Sequence, residues 1–231
     1  MLFNTKYNTT KKAEVSNIIN LNGIDLEKVQ NFKFLGITIN ENMNWNTHIG
    51  IVANKVSRMV GILHRLKHEL PSNTLRTIYC SLVQPHLTYA ITTWCTHTPP
   101  ARLQILQKKA IRAIQNSKYN SHTNPLFSQL NLLRLDHLIQ LNFCKLYFQC
   151  KAGKTSSYIN SKVKTNRELN LRNTRQSDQI HIPLINSRLQ THSLTHKIAK
   201  AWNPLPNDLK NLTLTKYTFV KKLRRYMNSL Y

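Results

Sequence analysis

The opening of the chain alternates apolar and polar residues at the two-residue period of strands. From Val15 to Ile39 this pattern predicts β structure. Asn22-Gly23, standing between Ile19, Leu21 and Ile24, Leu26, is the short-range signature of a two-residue type I′ hairpin. A third short strand follows, in which Phe32, Phe34, Ile37 and Ile39 bracket Gly36. A glycine inside a strand marks a point where something approaches the backbone closely. Asn40, Glu41 and Asn42 then turn the chain, and Asn44 is placed to cap the start of a helix.

The period changes at Trp45. Trp45, Ile49, Val52, Val56, Met59, Leu63 and Leu66 recur in alternating steps of four and three residues, which predicts one long helix with a continuous apolar face. Pro71 and Ser72 break and recap the chain before a second helix marked by Leu75, Ile78, Tyr79, Leu82 and Val83, which Pro85 must end or kink. Apolar residues resume at Leu87, Tyr89, Ala90, Ile91 and Trp94. Pro99-Pro100 precedes a third helix with Leu103, Leu106, Ala110 and Ile114 inward. Pro125 to Leu133 and Leu135 to Cys150 continue as helices, the latter rich enough in Leu, Phe and Tyr to be core.

At Lys151 the composition shifts. Residues 151–179 are polar and basic, with Lys154, Lys162, Lys164, Arg167, Arg172 and Arg175, and read as a linker or mobile loop. Beyond it, Ile180 to Pro183 reads as extended and Ser193 to Trp202 as helical. Thr215 to Leu230 reads as a final helix with Phe219, Leu223, Tyr226 or Met227, and Leu230 inward. The pattern as a whole predicts a mostly α chain with a small N-terminal antiparallel β part, of α+β class.

Charge narrows the function. The 231 residues are 41% hydrophobic, enough for a core, yet 33 Lys and Arg stand against 9 Asp and Glu, a formal net charge of +24. A chain so unbalanced repels itself unless it meets a polyanion, and nucleic acid is the expected one. No apolar run approaches the ~20 residues of a membrane span, and the start MLFNTKYNTTKK lacks an apolar signal core. The expected location is intracellular, in nucleus or cytoplasm, without secretion and without a membrane partner.

Recognisable catalytic chemistry is sparse. Cys80, Cys95, Cys144 and Cys150 form no Cys-x-x-Cys pair and read as buried thiols. His64 with His68, and His192 with His196, have helical i,i+4 spacing but enclose no Glu of a metalloprotease helix. Asp25 and Glu27 fall on one face of the first hairpin, where solvated edge charges belong. There is no Gly-x-x-x-x-Gly-Lys loop and no Gly-x-Ser-x-Gly elbow. Catalytic and metal-binding residues are therefore expected to be none, with no cofactor in this chain.

The cations, by contrast, fall on faces. Lys55, Arg58 and Arg65 share a side of the long helix, with His64 and His68 nearby; Arg102, Lys108, Lys109 and Arg112 line the outer side of the third. Lys221, Lys222, Arg224 and Arg225 cover the last helix. Such faces suit backbone phosphates better than base edges.

Several ordered motifs carry a family resemblance. Phe34-Leu35-Gly36-Ile37 followed by Trp45, His48 and Ile49, then Ile78 to Ala90, Trp94, Leu103 to Arg112, Ala201-Trp202-Asn203-Pro204-Leu205-Pro206, and Phe219 to Leu223 together resemble the reverse transcriptases (RNA-directed DNA polymerases) of jockey-like non-LTR, LINE-type retrotransposons. The similarity is to the end of the palm, the thumb and the post-thumb part.

The resemblance implies a palm-edge hairpin and primer-grip-like strand at 1–43, a helical thumb at 44–120 and a post-thumb segment at 121–150. A basic linker at 151–179 and a C-terminal helical region at 180–231 would follow. In the family the paired catalytic aspartates would fall before Met1, so this part is expected to be inactive alone, Mg²⁺ belonging to a complete parent polymerase. Phe34, Leu35 and Gly36 would act as primer grip, and Lys55, Arg58, Arg65, Lys108, Lys109 and Arg112 would clamp an RNA or DNA template–primer duplex, with the fingers and palm of the parent as a further partner. A free-standing basic RNA- or DNA-binding protein is the competing reading, and a basic component of a ribonucleoprotein a third.

Overall fold

In a computed structural model, residues 19–27, 29–95, 99–169, 176–182, 193–210 and 214–231 are described. Val15, Arg172, Arg175, Pro183 and His192 of the sequence reading lie outside them. The chain divides into two compact units, residues 1–55 and 56–231.

The described residues of the first unit hold two antiparallel hairpins. Strands β1 (Ile19–Leu21) and β2 (Ile24–Leu26) pair Ile19 with Leu26 and Leu21 with Ile24, as the Asn-Gly turn requires. Asn22 (φ 52°) and Gly23 (φ 82°) take the left-handed conformations of a type I′ turn. The Asn20 side chain braces the turn, accepting from the Gly23 N–H at 2.8 Å and donating to Asp25 Oδ1 at 2.8 Å. Asp25 is thus engaged in hairpin structure.

The next segment corrects the sequence reading. Gly36 is not inside a strand. Strand β3 (Asn31–Phe34) ends before it and β4 (Ile37–Asn40) begins after it, pairing Phe34 with Ile37 and Phe32 with Ile39 in a separate two-stranded sheet. Leu35 (φ 46°) and Gly36 (φ 80°) form the turn. Among the described residues four strands therefore stand where three were expected, because Leu-Gly lacks the Asn or Asp that announces such turns.

An asparagine relay leads into the long helix. Asn40 Oδ1 accepts from the Asn42 N–H (2.9 Å) and from Asn44 Nδ2 (3.2 Å), and Asn44 Oδ1 accepts from the N–H of Asn46 (3.3 Å), the first residue of α1 (Asn46–Leu66). His48, buried on the first turn, accepts the Thr38 N–H of β4 at Nδ1 (3.3 Å), satisfying a donor that a two-stranded sheet leaves outward. Burial first, and the charge of Lys55 second, hold this imidazole below its usual range. The buried stripe of α1 is Val52, Ala53, Val56, Val60 and Leu63, with Met59 only half-buried.

The second unit is helical. After α1, helix α2 (Ser72–Ile78) passes into a π-helical segment, Tyr79–Val83, and then α3 (Gln84–Thr88). Pro85 explains the change of winding. It lacks an N–H and its ring would strike the carbonyl four residues back, so the helix widens just before it, with the Gln84 N–H reaching back to Tyr79 O. Ala90 (φ 46°) breaks the run before α4 (Ile91–Trp94). Helices α5 (Ala101–Ile114) and α6 (Asn124–Gln129) follow, α6 stopping short of Leu133 because Asn131 turns left-handed (φ 51°).

Helix α7 (Leu135–Lys151) is the central element, burying nine residues between Leu135 and Cys150. Against it pack α10 (Leu194–Trp202) and α11 (Lys216–Asn228) through an aromatic cluster: Tyr147 against Trp202 at 4.5 Å, Phe148 stacked on Phe219 at 4.6 Å, and Trp202 against Phe219 at 5.7 Å between ring centres. Ser193 and Thr215 cap these two helices with their hydroxyls. In α11, Phe219, Leu223 and Met227 are buried, while Leu230 is exposed, contrary to its expected inward position.

The segment 151–179 also departs from expectation. It contains α8 (Ser157–Lys162) and α9 (Asn166–Leu169), and is tied by a Thr165–Ile180 bridge and the ion pairs Lys151–Glu168 (2.6 Å) and Arg167–Asp178 (3.1 Å). Its described residues thus carry short helices and a bridge where composition alone reads as a linker. No helix of the described residues is long and apolar enough to cross a membrane.

Candidate nucleic-acid interface

Lys55, Arg58 and Arg65 are all exposed on α1, opposite the buried stripe. Lys55 closes the first unit; Arg58 and Arg65 belong to the second, seven residues apart and so on the same side of the helix, about 10 Å from each other along its axis. The ion pairs among the described residues are Arg134–Asp136, Lys151–Glu168 and Arg167–Asp178, and none of them takes up these three cations. Their charge therefore faces solvent without neutralisation.

His64 does not share that side. Burial, then the charges of Lys67 and Lys109, lower its pKa.

On α5, Lys108 is exposed and Lys109 half-buried. Arg112 has a different occupation: its Nε donates to the Ser121 carbonyl at 3.0 Å and its guanidinium lies 5.8 Å from the ring centre of Tyr119. It holds the loop after α5, so its outward charge is only partly available. Arg76 is likewise structural, donating from Nε to the Leu130 carbonyl at 2.6 Å.

In the first unit, Phe34, Leu35 and Gly36 form the exposed tip of the β3–β4 hairpin, Phe34 with 57% and Leu35 with 74% of its surface open. A leucine held at positive φ is strained by roughly 1–2 kcal/mol. Strain at an exposed apolar tip is a feature that functional contacts retain. Among the described residues, no three His, Cys, Asp or Glu side chains gather into a metal-holding group.

What the arrangement can do is electrostatic. Unneutralised cations on a rigid helical scaffold attract a polyanion without reading its bases. The chain is similar to a Drosophila melanogaster protein described as "Probable RNA-directed DNA polymerase from transposon BS", 28% identical over 126 residues, which cover 52% of this chain and 14% of that protein. This likeness supports a relation to reverse transcriptases. The chain thus aligns with about a seventh of that protein's length. No protein-family model matches the chain. No solved structure matches it.

Proposed function

We propose that this chain corresponds to the thumb and post-thumb part of a jockey-like non-LTR retrotransposon reverse transcriptase and holds a template–primer duplex by its phosphates. The observation that carries the reading is the unpaired cation face of α1, Lys55 with Arg58 and Arg65, together with Lys108 and Lys109 of α5, in a chain of net charge +24 that is similar to a transposon polymerase. A polymerase must accept any sequence, so phosphate contacts and the shape of an A-like helix are the features for it to use. The strained Leu35 tip would serve as the apolar grip on the primer end, and the exposed Phe32 and Phe34 beside it would lie against the remainder of a longer polymerase. The chain would have no polymerase activity of its own, its Asp25 being engaged with Asn20 and no three His, Cys, Asp or Glu side chains gathering into a metal-holding group among the described residues.

The test is a salt titration of the full chain on two unrelated RNA–DNA hybrids by fluorescence anisotropy. If about six phosphates are neutralised, log affinity falls against log salt with a slope near −5. The triple variant Lys55→Ala, Arg58→Ala, Arg65→Ala should flatten that slope by roughly two to three units on both hybrids equally. A flat wild-type slope, or a strong preference for one sequence, would overturn the clamp in favour of a free-standing, sequence-reading protein. Primer extension by the purified chain with Mg²⁺ should stay at background.

A further inference from the structure

The end of α8, the end of α9, the residue after Ile180 and the first turn of α10 meet around a cleft of about 330 Å³, lined by Ser161, Lys162, Lys164, Leu169, His181 and Thr195. Hydrogen bonds between these pieces fix its walls. Thr195 of α10 donates from its hydroxyl to the Lys162 carbonyl at 3.3 Å, and the His181 N–H donates to the Lys164 carbonyl at 2.9 Å, next to the Thr165–Ile180 bridge. The cleft is thus preformed. Its volume stands at the lower end of the roughly 300–1,000 Å³ of small-molecule sites, which gives room for one nucleotide and not for a duplex.

In charge the cleft is one-sided. Lys162 and Lys164 are exposed, and neither enters an ion pair among the described residues. The acids of this segment are already engaged, Glu168 with Lys151 (2.6 Å) and the Thr165 N–H (2.9 Å), and Asp178 with Arg167 (3.1 Å). The two ammonium groups therefore attract an external anion. The neutral groups, by contrast, have committed their protons. The Ser161 hydroxyl donates to the Tyr158 carbonyl at 2.9 Å, as that of Thr195 does to Lys162. Asn166 donates from Nδ2 to the Gln176 carbonyl at 2.9 Å, so its Oδ1 accepts from His181 Nδ1 at 3.1 Å, and Nε2 of the neutral ring is left with a lone pair. Beside its two cations the cleft offers acceptors, and a ligand bearing both a phosphate and a hydroxyl proton matches that set.

Tyr158 adds a surface for a base. Its ring is 70% exposed, and Lys162, four residues on, places its ammonium 5.5 Å from the ring centre. One lysine therefore joins the cleft to the aromatic. An open aromatic face beside cations that track a backbone is the arrangement on which unpaired bases stack.

We propose that this cleft binds an unpaired ribonucleotide of an RNA strand, with the phosphate on Lys162 and Lys164, the ribose 2′-hydroxyl donating to His181 Nε2 or the Thr195 oxygen, and the base on Tyr158. Bases inside a duplex present no free face, so the ligand differs from that of the α1 and α5 clamp. Through the 2′-hydroxyl the cleft prefers RNA to DNA. The proposal rests on the nucleic-acid reading above and deepens it.

The experiment uses the full chain and a labelled oligouridine of about twelve nucleotides in ribose, 2′-deoxy and 2′-fluoro forms, the last keeping an RNA-like sugar pucker without the hydroxyl proton. By fluorescence anisotropy the ribose form should bind roughly three- to tenfold more tightly than either other form. Tyr158→Ala should weaken all three about tenfold, and Tyr158→Phe should restore them. Lys162→Gln, Lys164→Gln should lower the salt slope by about one to one and a half units and abolish the ribose preference, whereas the control Lys118→Gln, Lys200→Gln, at exposed sites elsewhere, should do neither. Equal binding of the ribose and 2′-fluoro forms overturns the proposal. So does a ribose preference that survives in the cleft variant.

Competitors identify the ligand. Displacement of the oligouridine by adenosine monophosphate at micromolar concentration would reassign the cleft to a free nucleotide, and displacement by polyglutamate as effective as that by unlabelled RNA would reassign it to an acidic peptide. A steep salt slope on RNA–DNA hybrids without ribose preference on single strands removes the cleft alone. Failure to bind either hybrids or single strands removes the nucleic-acid reading and the cleft together.

Discussion

Gln107 of α5 donates from Nε2 to the Tyr79 hydroxyl at 2.9 Å, both side chains being buried. The same amide donates to the Leu133 carbonyl (3.0 Å), and its Oε1 accepts from the Leu135 N–H (2.8 Å). One side chain therefore joins the π-helical segment, α5 and the start of α7. Its substitution by Leu leaves the Leu135 N–H, the Leu133 carbonyl and the Tyr79 hydroxyl buried without their partner. Gln107→Leu should destabilise the chain by about 2–5 kcal/mol in chemical denaturation, and adding Tyr79→Phe should recover part of the loss, since one orphaned group is then removed. A near-neutral Gln107→Leu would show that the network adds nothing.

That node was illegible in the sequence, because amphipathic patterning counts a glutamine as an outward residue. The Asn22-Gly23 hairpin and helix α7 were legible, since turn chemistry and a dense apolar run leave few alternatives. The stripe of α1 was legible only in outline. Alternating steps of four and three drift about 20° per heptad on a straight helix, so the buried position moves from Met59 to Val60. At the candidate interface, exposure of Lys55, Arg58, Arg65 and Lys108 followed from period alone. The use of Arg112 on the Ser121 carbonyl depends on a contact outside its own helix, which no single-helix pattern contains.

Helix α1 offers a direct comparison of its two sides. Val56 is fully buried and Arg58, two residues on, is exposed. Val56→Asp places an unpaired charge in the core and should cost several kcal/mol, enough to unfold a marginal domain. Arg58→Asp should change stability by about half a kcal/mol or less while weakening hybrid binding. Equal melting temperatures for the two variants would show that the faces are assigned wrongly.

His137 and Tyr231 make stability depend on pH. The Tyr231 oxygen accepts from the Arg134 N–H at 2.8 Å and lies 3.0 Å from Nδ1 of His137, to which its hydroxyl donates when the ring carries its proton on Nε2, with the rings stacked at 5.1 Å. Burial pushes the phenol up to about 12, so it remains a donor. Burial also lowers the His137 pKa; the charge of Asp136 works against this and that of Arg134 adds to it. Relative to the unfolded chain, the fold therefore favours the neutral imidazole. As pH falls below the ordinary value of about 6.5, the unfolded chain takes up the proton first, and stability is lost until the folded value is passed. His137→Gln retains an acceptor without titrating. Melting curves from pH 8 to pH 5 should therefore fall less steeply for this variant than for the wild type, the lowered His48 and His196 contributing equally to both. Parallel curves would exclude His137 as a source of the dependence.

Leu35 is where stability and the proposed grip oppose each other. Its φ of 46° places a branched apolar side chain in a conformation that Asn occupies more readily, and Asn-Gly is the preferred pair for the I′ turn that Leu35 and Gly36 form. Leu35→Asn should therefore stabilise the β3–β4 hairpin by up to about 1 kcal/mol, visible as slower amide exchange of the paired residues Phe32 and Ile39. If the exposed leucine grips a primer end, the same substitution should weaken hybrid binding severalfold while leaving the salt slope unchanged, because an apolar contact releases no counterions. A hairpin that becomes more stable with affinity intact would mean that the strained tip is not part of the contact. A change in slope would mean instead that the substitution has disturbed the cations of α1.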